Sequence, residues 1–380
     1  MSKEKAIEIL ESLQYNYKQN ESFDGDGGYI HKDISYNLFN SLKQKGIIPT
    51  AVSFEVFQSQ IIDTLPITHP LIAKSKYLNP FWAKVLESRI LDIEKSINYR
   101  YRTQLSGNYL LGSLPFGQVN GFAYNIPNND YILILLSDGT FGFLNQISKA
   151  IAQCFPLSKE GDSIIISKDE VLAYVTETPE IINRFFDLIW NYLLHQSPFN
   201  SEQYSPKSET YFIYDNLRTA LETFILGHEF GHIIRGHFDT SKYKNNERTK
   251  LVLNNLKELE ADNVGLNICL DVLIDKNVGT AIGFAGADFF FTSMMLVERS
   301  LSLLKNGYVD NTLNIGETHP PFLLRRQHLR NLFRIADLNE IEESLDFSYT
   351  LEAIIEIVWD KIQPSLLKAY NEGVRPSSHW

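Results

Sequence analysis

The chain has 380 residues, of which 44% are hydrophobic, and its formal net charge at pH 7 is −11. This length and hydrophobic content are sufficient for a large buried core, which excludes an intrinsically disordered chain. The excess of acidic residues also argues against a nucleic-acid partner, because binding to phosphate backbones requires a basic surface.

The predicted elements begin with a helical N-terminal region at residues 1–110. From residue 3 to about residue 104, apolar residues recur at helical spacing. Asn79 and Pro80 supply an N-cap residue and a proline for the first turn of one helix in this region. No chemistry can be derived for the region, so roles in binding substrate or a regulatory partner stay open.

Mixed α and β structure is predicted for the next part of the chain. Residues 119–137 are predicted to be β structure, followed by a helix to about residue 155. Pro179 begins another helix, in which a core stripe of apolar residues recurs at three-and-four spacing, namely Ile182, Phe185, Phe186, Ile189, Trp190 and Leu193. Residues 197–209 are rich in Ser, Pro and Asn and predict a linker or surface loop.

The most informative stretch is HEFGH at residues 228–232, on a helix predicted at about 215–237. Residues four apart lie on one face of a helix, so the imidazoles of His228 and His232 converge on a single ion. Glu229 stays close enough to activate a water on that ion. A catalytic zinc has three protein ligands and a water whose pKa falls to about 7, and two histidines with one carboxylate meet that need.

A carboxylate motif follows after the second histidine of this stretch. Glu258 and Asp262 are four apart, so on a second helix Glu258 can reach the metal while Asp262 accepts a hydrogen bond from a ligand imidazole. Residues 239–250 are polar and are predicted to be a loop between the two helices. We therefore predict one zinc ion per chain, bound by His228, His232 and Glu258.

Two other interpretations of these histidines are less consistent with the sequence. Solvated histidines on an amphipathic helix conflict with their five apolar neighbours, because a buried polar group needs a partner. These neighbours are Phe224, Ile225, Leu226, Ile233 and Ile234. His237 as third ligand would require the metzincin pattern, but it lies five rather than six positions after His232. We therefore interpret His237 as a helix-end histidine favoured by the C-terminal dipole.

Three segments, in this order, resemble the motifs of one peptidase family. HEFGHIIRGH at 228–237, ELEADNVG at 258–265 and THPPFLLRR at 318–326 are similar to the HExGHxxxxH, ExxAD and HPP-with-arginine motifs of HtpX and CaaX-protease type gluzincins. Upstream, residues 120–123 and the strand from 131 look like the family stretch that edges the cleft and pairs with substrate backbone. The resemblance implies a zincin-like core with a small β-sheet, the HExxH helix and the ExxAD helix.

The resemblance also implies roles for individual residues. Glu229 would be the general base, and Asp262 would orient a ligand histidine. His319 and Arg325 would lie near the cleft, and they are our candidates for stabilising the oxyanion. The alternative for this segment is a turn before a helix, since its two prolines suit a helix start.

The predicted organisation is that of an α+β protein that is mostly helical. Residues 111–335 would form the zincin-like metallopeptidase domain. About ninety residues separate the edge strand from HEFGH, where the family has a short connection, so we predict a helical insertion at about 142–210. Residues 336–380 would form a C-terminal helical segment.

The cysteines and the apolar stretches predict a cytoplasmic protein. Cys154 and Cys269 lie in apolar surroundings without metal-ligand spacing and are interpreted as buried thiols of a reducing compartment. Residues 1–6 lack the apolar core of a signal peptide. Residues 279–297 are interrupted by Asp288 and lie at the low edge of the length that spans a bilayer, so we predict a buried core helix and no membrane span.

The function predicted from the sequence is that of a zinc-dependent endopeptidase acting on a protein or peptide substrate, either active at once or latent until triggered. An aminopeptidase is disfavoured because no GxMEN-like segment is present to hold a free amine. The alternative is a zinc-binding interaction or regulatory module without turnover. A more distant likeness to Lit-type phage-exclusion peptidases keeps a phage-exclusion or toxin-type protease open.

Overall fold

The structure is a computed structural model that describes residues 2–20, 67–101, 108–157, 167–238, 247–310, 319–336, 340–378 and 380, with a few positions between 39 and 56. Within these residues the chain is mostly helical and has one sheet of three strands, which confirms the predicted α+β class. The elements, in chain order, are α1 (Lys3–Asn20), α2 (Pro80–Tyr101), β1 (Asn108–Leu114), β2 (Gly121–Asn125), β3 (Tyr131–Ser137), α3 (Asp138–Ala152), α4 (Lys168–Glu177), α5 (Pro179–His195), α6 (Tyr211–Ile234), α7 (Glu247–Asp275), α8 (Thr280–Asn306), α9 (Phe322–Ile335) and α10 (Ile341–Asn371).

Two helices begin where the sequence predicts. The side-chain oxygen of Asn79 accepts hydrogen bonds from the backbone N–H groups of Phe81 at 3.0 Å and Trp82 at 3.3 Å, which is the N-cap expected at the start of α2. Helix α5 begins at Pro179, whose missing N–H costs nothing in the first turn. Local sequence signals therefore set both boundaries.

The sheet has the strand order β1-β3-β2, with β1 parallel and β2 antiparallel to β3. β2 and β3 confirm the β structure predicted for residues 119–137. The sequence did not predict β1, because six of its seven residues are buried and a strand buried on both faces lacks the alternation of apolar and polar residues. β2 lies at one edge of the sheet.

Both faces of the sheet are covered, because side chains along a strand point alternately to opposite sides. Leu110 and Leu135 pack with Leu10 of α1 in a small cluster on one face. Leu111 and Ile134 point the other way and belong to the main core, which also contains the buried faces of α2 and of the later helices. The sheet thus connects α1 to the rest of the molecule.

Helices α6 and α7 cross at a contact between small residues. A Cβ atom on Gly231 would lie 2.7 Å from the Cα of Ala261, and one on Gly227 would lie 3.1 Å from the Cα of Gly265. The absence of side chains at these glycines lets the two backbones approach closely. The crossing therefore brings the HExxH turn of α6 against the ExxAD turn of α7.

Helix α8 forms part of the core. Among the described helices it alone is long and apolar enough to cross a membrane, but 78% of its apolar stretch is buried inside the protein, where α8 packs on α6 and α10. Asp288, in the middle of the helix, accepts hydrogen bonds from Arg330 Nε and Nη2, each at 2.7 Å. A buried carboxylate paired in this way is compatible with a core position.

The predicted surface loop at 197–209 differs from the structure. It contains two short 3-10 helices, Pro198–Asn200 and Ser208–Thr210. A Cβ on Gly142 of α3 would lie 2.5 Å from the ring of Phe199, so this ring packs directly on the helix. The prediction is wrong for this part of the segment, because its Ser, Pro and Asn content carries no information about a partner distant in sequence.

The boundaries of the two motif helices also differ from the prediction. Helix α6 ends three residues early because Gly236 adopts a left-handed conformation with φ 68°. Residues 247–250, predicted as loop, form the first turn of α7, and residues 239–246 lie outside the described residues. The predicted domain limits near residues 110 and 335 stay predictions.

Candidate metal centre

Three predicted ligands converge at the crossing of α6 and α7. The Nε2 atoms of His228 and His232 lie 3.2 Å apart, and each lies 3.5 Å from one oxygen of Glu258. Zinc ligands at about 2.0–2.1 Å in tetrahedral geometry are separated from one another by roughly 3.3 Å. The three groups are therefore spaced so that they could hold one metal ion.

The Glu258 carboxylate supports a cation at this position. Its Oε2 atom is buried and accepts no hydrogen bond, a costly state for a carboxylate oxygen unless a positive charge lies in front of it. Burial raises the pKa of Glu258, but the interactions with His228 and Arg325 outweigh burial and lower it to about 2. Glu258 is thus ionised and available as a ligand at neutral pH.

The electrostatic environment of the two histidines favours positive charge at the same point. Burial opposes ionisation of His228, but its hydrogen bonds to Asp262 and Glu258 outweigh burial and raise its pKa to about 10. Burial and the neighbouring His228 lower the pKa of His232 to about 3. One imidazole thus attracts a cation, and the other keeps a lone pair.

Asp262 fixes the orientation of His228, the contact that the sequence predicts. The Nδ1 atom of His228 lies 2.9 Å from Asp262 Oδ1. Because the pKa of Asp262 lies at about 2, with the effect of Arg325 outweighing burial, its carboxylate is ionised and accepts the Nδ1 proton. The Nε2 atom of His228 then faces Glu258 and His232.

Arg325 lies behind this histidine. Its Nε and Nη2 atoms donate to Asp262 at 2.8 and 2.6 Å, and its guanidinium is stacked over Phe291 at 4.9 Å from the ring centroid. Two of its three nitrogens are therefore engaged in holding a buried carboxylate. This contact makes Arg325 a support for His228, a different position from that of a donor standing free in a cleft.

A second set of contacts holds His232 and includes a residue that the sequence did not place in the site. His232 Nδ1 lies 2.9 Å from His237 Nδ1, and His237 Nε2 lies 3.0 Å from Glu260 Oε2. Burial lowers the pKa of His237, so its ring is neutral and carries one proton. That proton lies on Nε2 because a carboxylate accepts, and His237 Nδ1 accepts the proton of His232 Nδ1. His232 Nε2 is thereby left with its lone pair toward the metal position.

The end of α6 explains how His237 reaches His232. Hydrogen bonds from the backbone N–H of Gly236 to Ile233 O and from that of His237 to His232 O, both 3.0 Å, form a Schellman motif. In this motif the residue after the glycine folds back beside the last turn of the helix. Glycine immediately before histidine at the end of HExxH was the signal from which this contact could have been predicted.

Glu229 is buried beside the ligands and contacts the edge strand. The backbone N–H of Ala123 in β2 donates to its carboxylate. Burial raises the pKa of Glu229 to about 7, although the charge of His228 and the bond from Ala123 act against the shift. A carboxylate with this pKa can both accept and release a proton at neutral pH.

His319 lies at the exposed side of the same centre. Its Nε2 atom is 3.5 Å from Glu258 Oε2, and 56% of its side chain is exposed. It stands three residues before the start of α9, so the predicted turn before a helix is confirmed together with the position near the cleft.

These residues surround one cavity of about 620 Å³. Residues 121–123 of β2 line one side of it, and α6, α7, α8 and α9 contribute the remaining walls. Of the residues that the sequence predicts for the site, six line the cavity and Asp262 lies behind His228; the six are His228, Glu229, His232, Glu258, His319 and Arg325.

Comparisons of the chain with protein-family models, with curated proteins and with solved structures found no match. Its chemistry is therefore inferred from its own residues. They provide a buried group that could hold a metal ion, a protonatable carboxylate beside it and a cavity that opens onto both.

Proposed function

We propose that the protein is a zinc-dependent endopeptidase with a zincin-like core. The observation that carries the proposal is the buried triangle of His228, His232 and Glu258, with Glu229 in the same cavity. Two imidazoles and one carboxylate suit zinc, and three protein ligands leave a fourth position for water or substrate. The order of the HEFGH, ELEAD and HPP segments, and their resemblance to HtpX and CaaX-protease type gluzincins, supports the same assignment.

A zinc ion held there would supply Lewis acidity to the attacking water and to the scissile carbonyl. The protein contributes the proton transfers. Glu229, with its pKa at about 7, accepts the proton of the attacking water and then gives it to the leaving amine. His319, at the exposed side of the centre, is our candidate for a donor to the developing oxyanion.

The substrate would bind in an extended conformation along β2. This strand is at the edge of the sheet, and its residues 121–123 line the cavity next to Glu229. Extended peptides commonly add to such an edge through main-chain hydrogen bonds. A protein or peptide in the cytoplasm is the proposed substrate, and the N-terminal region is the proposed binding site for a regulatory partner.

The test compares the cleavage of a whole proteome by wild-type protein and by the Glu229→Gln variant. We expect wild type to produce new termini, and the variant to lose this activity by about 10²–10⁴-fold while it retains its zinc. Glu342→Gln is the control, because Glu342 is exposed on α10 and lies outside the cavity. Cuts that are equal in wild type and Glu229→Gln would disprove the peptidase, and zinc without cuts would support an interaction module.

A further inference from the structure

One face of α8 changes from apolar to acidic along the wall of the cavity. Phe290, Met294 and Glu298 are each four residues apart, so they lie on the same side of the helix, and all three line the cavity. Adjacent members of this row are separated by about 6 Å along the helix axis. The wall therefore offers an apolar strip that ends in a carboxylate.

The facing walls of this part of the cavity are also apolar. Phe224 of α6 and Phe322 of α9 line it, and their ring centroids lie 6.1 and 6.4 Å from that of Phe290. Phe224 precedes His228 by four residues on the same helix, so the apolar strip begins next to the candidate metal centre. A side chain of a peptide bound at the metal would have direct access to the strip.

Glu298 stands at the end of the strip without a cationic partner among the described residues. It is exposed to solvent on one side, while the apolar surroundings on the other raise its pKa to about 6 by burial. The adjacent Arg299 is not available to it, because both terminal nitrogens of Arg299 donate to Glu356, at 2.9 and 2.8 Å. At neutral pH the strip therefore ends in a negative charge.

We infer that this strip is a substrate subsite for a lysine or arginine side chain, with the hydrocarbon stem on Phe290 and Met294 and the cationic end at Glu298. Long basic side chains place their methylene groups on apolar surface while their charge stays at the solvent boundary. The net charge of −11 also attracts basic peptides. The inference rests on the proposed function, since it gives that cavity its substrate class.

The three kinds of substrate side chain differ in how they meet this wall. An uncharged apolar side chain fits Phe290 and Met294 but leaves the partly enclosed carboxylate without a partner. An acidic side chain meets the carboxylate with like charge. A basic side chain satisfies both ends of the strip, and a charge-assisted hydrogen bond in a partly enclosed site gives a preference of about tenfold.

The test measures peptide binding to the zinc-loaded Glu229→Gln protein, so that binding is observed without turnover. The probes are acetylated alanine-rich peptides that carry a single lysine, or a single norleucine, at each position in turn. We expect lysine at one position to bind about tenfold more tightly than norleucine. Adding Glu298→Gln should remove the preference, whereas adding the control Glu342→Gln should retain it.

The outcomes separate this inference from the proposed function. Equal binding of the lysine and norleucine peptides, absence of binding, or a preference that persists in Glu298→Gln would overturn the subsite. Wild-type protein that cuts peptides without regard to lysine would also overturn the subsite while the peptidase stands. A Glu298-dependent preference in a wild-type protein that cuts none of the bound peptides would overturn the peptidase and leave the subsite.

Discussion

At the scale of single residues, the two ligand histidines are held through Nδ1 by different partners. His228 is held by Asp262 and Arg325, which are buried, whereas His232 is held by His237 and the half-exposed Glu260. Both sets of contacts leave an Nε2 lone pair at the metal position. The second set is the one that can be altered without removing a charge from the core.

His237→Ala should weaken zinc binding by about 10–100-fold, because His232 Nδ1 loses its acceptor. His237→Asn should recover most of the affinity, since the amide oxygen can stand near the position of the lost Nδ1 atom. The measurement is competition with a chelator of known zinc affinity. A His237→Ala protein that binds zinc as tightly as wild type would show that His237 does not position the ligand.

Asp138, at the first position of α3, provides a pH-dependent effect outside the metal centre. It is buried, and burial raises its pKa to about 7 although hydrogen bonds from Asn79 and Ser113 act against the shift. The folded protein therefore binds this proton more tightly than the unfolded chain, whose aspartate has a pKa near 3.9. The resulting stability is present in acid and is lost as the pH rises through 7.

Asp138→Asn should remove this dependence. Between pH 5 and pH 8 the free energy of unfolding of wild type should fall relative to that of the variant, by on the order of 2 kcal/mol. Urea unfolding of both proteins at the two pH values measures the difference. Parallel behaviour at both pH values would mean that the positive end of the α3 dipole, which favours ionised Asp138, cancels the effect of burial.

At the scale of elements, the candidate centre depends on how closely α6 and α7 approach. The glycine between the two histidines faces the backbone of Ala261, so an added methyl group cannot be accommodated by rotating a side chain. Separation of the helices would move Glu258 away from His228 and His232. Metal binding and helix packing are thus coupled at one contact.

Gly231→Ala should therefore lower the free energy of unfolding by about 1–3 kcal/mol, as overpacking does, and reduce zinc content. Gly283→Ala on α8 is the matched control, because its new Cβ would meet only Leu270 and Leu273 at 3.3 Å or more and alanine favours a helix. Denaturant unfolding and metal analysis of both variants provide the comparison. Normal zinc content in Gly231→Ala would contradict the coupling.

Sequence patterns predicted the elements whose signals are local. The HExxH spacing, the Asn79-Pro80 start and the row of apolar residues after Pro179 each depend on neighbours within a few positions, and the helices form there. β1 carries no alternation because both of its faces are buried, and Phe199 packs on a helix more than forty residues away in the chain. Such long-range partners are not encoded in a local pattern.

At the scale of the whole molecule, the cavity brings together segments that are far apart in the chain. The edge strand at 121–123, the turns of α6 and α7 and the segment from His319 to Arg325 meet around one space. Their order along the chain predicted a common site, and their positions in the structure agree with that expectation. What the order could not predict is the wall made by α8, since Phe290, Met294 and Glu298 belong to none of the motifs.

The acidic balance of the molecule is consistent with the same wall. A net charge of −11 gives a field that draws basic ligands to the protein, and Glu298 places one negative charge inside the cavity where a peptide would bind. Long-range attraction would be weakened by salt, since charges separated by more than about 8–10 Å are screened at physiological ionic strength. The local contact at Glu298 would be less affected.

The zinc content of the purified protein, measured by elemental mass spectrometry, tests the central claim most directly. We expect one zinc per chain in wild type and in Glu229→Gln, and a large loss in Glu258→Ala, because removal of one of three ligands leaves only the two imidazoles. Wild-type protein that binds no zinc, even when zinc is supplied in excess, would contradict the metal centre and the peptidase built on it. Zinc that is retained in full by Glu258→Ala would show that the metal binds elsewhere.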